Sequence, residues 1–119
     1  MNLLDHLGIE TCIVSPKEVQ LTLAIDEKHH QPYGYLHGGI NAVLIETACS
    51  IGANEYLQAP HFAVGIDLQA QHLNKASTGN LRVVAQPEKI GKNIHFWQAT
   101  IYLDNDLKIA TGQCTLMVN

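Results

Sequence analysis

Apolar residues recur at every second position over most of the chain and switch to a three-and-four spacing in one segment only. From Glu10 to Ile25 the positions Cys12, Val14, Val19, Leu21, Leu23 and Ile25 alternate around Ser15-Pro16, which predicts two short strands joined by a turn. Asp26 to Tyr35, with its Pro and Gly, reads as a loop. From about Gly39 to Leu57, Ile40, Val43, Leu44, Ala48 and Ile51 mark the buried stripe of a helix. Gly39, Ala42, Glu46, Cys49, Ser50 and Ala53 then fall on its other side, small residues around one carboxylate that would let a second surface approach. Alternation returns at Val64–Ala70, Leu81–Ala85, Ile94–Tyr102 and Ile109–Val118. Ser77-Thr78-Gly79, Ile90 to Asn93 and Asp104-Asn105-Asp106 supply turns between these runs.

The resulting order, β-β-α-β-β-β-β, lacks a βαβ repeat and predicts an α+β fold in which an antiparallel sheet wraps one long helix. A length of 119 residues fits one domain spanning 1–119. Only 15% of residues are charged and 46% are hydrophobic, a balance that predicts a buried subunit interface. The net charge of −4 argues against a nucleic-acid partner, which needs a basic face. Charge is nonetheless uneven. Lys75, Arg82, Lys89 and Lys92, opposed only by Glu88, make the 75–92 window +3 and the remainder −7. That window is either a solvated face or a site for a phosphorylated ligand. Cys12, Cys49 and Cys114 are odd in number and lack CxxC spacing, which fits a reducing compartment better than a disulfide framework or a zinc site. No apolar run reaches the ~18 residues of a membrane helix, so the expectation is a cytoplasmic chain with no membrane partner.

Glu46 poses the chemical question, because burying an ionised carboxylate on an apolar helix is costly unless it is paired. It either faces solvent, makes a structural hydrogen bond, or serves a site. Gly38 and Gly39 leave amide donors at the helix start, where an oxyanion could be held. Ser50 lies one turn after Glu46, and Gln31 and His37 bring polar groups to the helix entrance. There is no GxGxxG after a strand and no GK[ST], and the scattered histidines have no metal-ligand spacing. No serine sits in a GxSxG elbow and nothing local activates Cys49. Neither a metal nor a cofactor is expected.

The spaced motif Q-P-x-G-x-x-H-G-G-x-x-x-x-L-x-E-x-x-x-S over Gln31 to Ser50 resembles the hotdog-fold acyl-CoA thioesterases that carry Glu on the central helix. These include the phenylacetate-pathway, 4-hydroxybenzoyl-CoA and 1,4-dihydroxy-2-naphthoyl-CoA types. The likeness continues through QAQHLNKASTGNLRV and PEKIGKNIHFWQATIY. It implies a hotdog fold, a homodimer joined edge to edge and, commonly, a dimer-of-dimers tetramer. It also implies a composite site, with Gln31, His37 and the Gly38 amide from one subunit and Glu46 and Ser50 from the other. Gly38, assisted by Gln31, would polarise the thioester carbonyl, and His37 would help order the site and contact the thioester. Glu46 would attack the carbonyl or deprotonate water, with Ser50 positioning it. Gly39, His72 and the Gly91-Lys92 turn match the region that meets CoA, and Arg82 and Lys89 share the basic window. A small or aromatic acyl group would pack among Val43, Ile51, Phe62, Val64 and Trp97. The alternatives are a hotdog enoyl-thioester hydratase or dehydratase, and a catalytically silent acyl-CoA-binding module.

Overall fold

The computed structural model describes residues 1–119. Six strands, β1 (Glu10–Val14), β2 (Val19–Ala24), β3 (Ala63–His72), β4 (Asn80–Ile90), β5 (Ile94–Tyr102) and β6 (Lys108–Val118), form one sheet. Their order is β1-β2-β4-β5-β6-β3, with every neighbour antiparallel. A short helix, α1 (Leu3–Leu7), precedes the sheet, and the long helix α2 (Gly38–Asn54) lies across it.

The strands form where the alternation placed them, and the alternation also decides which face meets the helix. Val19, Leu21 and Leu23 of β2, Leu81, Val83 and Ala85 of β4, Trp97, Ala99 and Ile101 of β5, and Cys114 and Leu116 of β6 point inward and are buried against α2. Their neighbours in sequence face outward. Gly52 permits the closest approach, since a methyl group there would lie 2.3 Å from the Trp97 ring.

The stripe that α2 buries is rotated from the predicted one. It comprises Asn41, Leu44, Ile45, Ala48, Cys49, Gly52 and Ala53, while Ile40, Val43 and Ile51 are half-buried. Cys49 and Ala53 therefore belong to the core and not to the flank around Glu46. The helix is apolar on nearly all sides, so hydrophobicity does not fix its rotation; the small residues at 48, 49, 52 and 53 do, by letting the sheet come close. Trp97, expected at an acyl pocket, fills that core contact instead. Two elements were not anticipated. One is α1, capped by Asn2 and ended by Gly8 in a left-handed conformation (φ 77°). The other is a 3₁₀ turn at Glu27–His29 within the predicted loop. The ring of buried His29 holds this turn in place through Leu7 O and the Asp26 amide.

At one edge of the sheet every residue of β1 is exposed. At the other, the ten-residue β3 pairs only with β6 and leaves its outer edge free. A bulge interrupts β3 between Gly65 and Asp67.

Candidate active site

Two clefts open along α2, one at its N-terminus and one beside its middle turns. The first, of about 640 Å³, lies at the helix N-terminus, among Gln31, Tyr35, Gly38, Asn41, His72 and Lys75. The second, of about 470 Å³, holds Glu46, Thr47, Ser50 and Ile51 of α2, Ala63 to Gly65 of β3, and Leu4 of α1.

The first cleft is built by the turn-rich segment that precedes the helix. His37 is the N-cap, and its Nδ1 accepts the Gly39 amide at 2.8 Å. Gly39 is thus not a free donor, contrary to the expectation for a Gly-Gly helix start. The Gly38 N–H has no acceptor in the chain and remains the available amide. The Gln31 side-chain oxygen accepts the Tyr33 and Tyr35 amides, which leaves its NH₂ group as the end able to donate. His72 comes from the end of β3, and its ring lies over Gly38 so closely that a methyl group there would be 3.0 Å from Cε1 and Nε2. Lys75 sits over the Tyr35 ring, 4.7 Å from its centroid.

In the second cleft Glu46 is half-buried and enters neither a hydrogen bond nor the chain's one salt bridge, Arg82–Asp106. Its Oε2 rests on Gly65, where a methyl group would approach to 2.3 Å. A glycine interrupting a strand signals such an approach, and Gly65 lines this cleft without standing out in the sequence. Asn54 closes the helix beside it. Its Nδ2 donates to Ser50 O at 2.8 Å and Ala63 O at 3.1 Å, and its Oδ1 accepts the Ala63 amide at 2.9 Å. This stitches the last turn of α2 to the start of β3 and keeps Ser50 and Glu46 over the same stretch of strand. Beneath them lie two thiols. Burial, with Cys114 and Glu46 nearby, pushes Cys49 well above the ordinary thiol range. Burial and the neighbouring carboxylates push Cys114 up to about 11. Both stay protonated at neutral pH, which removes them as nucleophiles.

The basic window does not gather into one patch. Arg82 pairs with Asp106 at 2.9 Å and stacks on Tyr102, 4.8 Å from the ring centroid. Lys89 is seven residues further along β4, on the order of 23 Å away. Lys92 is exposed in the β4–β5 turn, which closes through Gly91, whose amide donates to Ile94 O at 2.9 Å. Lys75 alone of the four lies in a cleft with Gly38.

A single central helix wrapped by a six-stranded antiparallel sheet is the hotdog fold of thioesterases. The thioesterase superfamily model matches residues 33–110, and the chain belongs to that superfamily. A 1,4-dihydroxy-2-naphthoyl-CoA hydrolase from Listeria monocytogenes is 34% identical over 99% of this chain and 96% of its own. A proofreading thioesterase, EntH, from Cronobacter turicensis is 32% identical over 98% and 85%. Among solved structures, a thioesterase from Haemophilus influenzae superposes with a TM-score of 0.93 at 32% identity, covering 98% of this chain and 81% of its own. A Staphylococcus aureus thioesterase reaches 0.97 at 27% identity, covering 100% and 99%. The protein is a thioester hydrolase.

Proposed function

We propose that the protein hydrolyses an acyl-CoA thioester to the free acid and CoA, at a site composed from two copies of the chain. One observation carries this reading. Gly38 and Glu46 are eight residues apart on one helix, about 12 Å along its axis. A thioester carbonyl held at hydrogen-bond distance by the Gly38 amide is therefore beyond the carboxylate of the same chain. The free edge of β3 supplies the remedy. In an antiparallel pairing of two β3 edges centred between Leu68 and Gln69, His72 of one copy faces Gly65 of the other. The Gly38 cleft of each copy then meets the Glu46 cleft of its partner, as a two-fold interface requires.

In that arrangement the Gly38 N–H and the Gln31 NH₂ donate to the carbonyl oxygen and stabilise the charge that develops there. His37 holds the helix start in shape through its cap on Gly39. Glu46 either attacks the carbonyl carbon, giving a mixed anhydride that water opens, or takes a proton from the attacking water; Ser50 orients the carboxylate or that water. The sulfur leaves as the thiol of CoA. The 1,4-dihydroxy-2-naphthoyl-CoA hydrolase among the relatives supports an aromatic acyl group. Ile51 and Val64, which line the Glu46 cleft, offer apolar surface for it.

A thiol-release assay over aromatic, medium-chain and short-chain acyl-CoA thioesters tests the reading. Aromatic acyl-CoA should turn over fastest, and Glu46→Gln should lower kcat by about 10²-fold or more while leaving the fold intact. Near-native turnover in that variant would overturn the assignment of Glu46.

A further inference from the structure

We propose that Asn41 is a positioning residue that fixes the tautomer of His72, placing the ring proton on Nε2 and aiming that N–H into the cleft beside the Gly38 amide. The catalytic consequence rests on reading this cleft as the half-site that holds the thioester carbonyl.

Asn41 occupies the first turn of α2 and is only 3% exposed. Its partners along the buried stripe are Leu44, Ile45 and Ala48, so a residue needed only to fill space there would be apolar. Its carboxamide nitrogen lies 3.1 Å from His72 Nδ1, and this is the one hydrogen bond the ring makes. An NH₂ group can only donate, so Nδ1 must present its lone pair, and the neutral ring then carries its proton on Nε2. Nε2 is also a ring atom lying over Gly38. The reverse orientation of the amide would leave a buried NH₂ group with no acceptor. The observed one leaves only an acceptor, Asn41 Oδ1, without a partner. Buried unpaired donors are the rarer and costlier of the two. Within its own chain the ring of His72, at the end of β3, has Asn41 as its one hydrogen-bond partner. Through Asn41 the helix thus sets which nitrogen of the ring lying over Gly38 carries the proton.

Long-range ¹H–¹⁵N spectra of the full chain labelled at histidine nitrogen read the tautomer directly. At a pH where the ring is neutral, wild-type His72 should show an unprotonated Nδ1 and a protonated Nε2. Asn41→Asp offers only acceptors to the ring and should bring a proton onto Nδ1. Asn41→Ala should shift the spectrum toward the mixture of a free imidazole. In both variants kcat should fall about tenfold or more with KM little changed, as when a donor to the developing charge is misdirected. Asn41→Ser, which keeps a hydroxyl donor, should recover part of the loss. A wild-type His72 protonated on Nδ1, or a tautomer unmoved by Asn41→Ala, would overturn the proposal. If the wild type cleaved no thioester, the functional reading would fail, and the tautomer measurement would still decide the role of Asn41.

Discussion

A carboxylate oxygen of Glu46 rests on the backbone of Gly65, in space that no other residue type would leave open. Gly65→Ala should push the Glu46 side chain off its seat and lower kcat on the order of 100-fold, the scale set by a misplacement of about 1 Å. Steady-state kinetics and a thermal melt check this together. A melt near that of the wild type with normal kcat would contradict it.

Gly52 faces Trp97 in the same way, but in the core. Gly52→Ala places a methyl group 2.3 Å from the indole and should destabilise the fold by about 1–3 kcal/mol through overpacking. Chemical denaturation measures this. An unchanged midpoint would mean that the helix can shift without cost.

His95 is buried beside Tyr56, with its Nδ1 unpaired, and burial holds its imidazole below the usual histidine value of 6.5. A base with a depressed value in the folded state binds protons more readily when unfolded. Its contribution is therefore constant above about pH 6.5, and stability is lost as pH falls below that value. Wild type should lose stability as pH falls below about 6.5, and His95→Gln should show a shallower acid slope in denaturant titrations.

Of the three cysteines, Cys12 is exposed whereas Cys49 and Cys114 are buried, with thiols held protonated. A thiol-counting reagent at neutral pH should modify one site in the native protein and three in denaturant. Fast native modification of two or three would contradict the packing beneath Glu46.

Period-two alternation made the central strands legible because β2, β4, β5 and β6 each have one face against the helix and one away from it, and the Gly-Gly entry made the helix start legible. Helix rotation was not legible. Val43 and Ile51 are as apolar as Leu44 and Ile45, and the small residues at 48, 49, 52 and 53, with Trp97 against Gly52, select one stripe over the other. The basic window is spread out for a different reason. Lys75, Arg82, Lys89 and Lys92 are near one another in sequence, but a strand of eleven residues carries Arg82 and Lys89 toward opposite ends of the sheet. Among the candidate residues, Gln31, Gly38 and His72 share a cleft, as do Glu46 and Ser50. Asn41, Asn54 and Gly65 went unmarked because an amide on a helix or a glycine in a strand gains meaning only from what it touches.

The division of these residues between two clefts leads to one decisive measurement. Gln31→Ala and Glu46→Ala chains, each inactive alone, are denatured, mixed in equal amounts and refolded. Random pairing makes half of the dimers mixed, and each mixed dimer holds one site with both Gln31 and Glu46 intact, so about a quarter of wild-type activity should return. No recovery above the separate variants, with mixed dimers confirmed by differential tagging, would place the whole reaction within one chain and contradict the composite site.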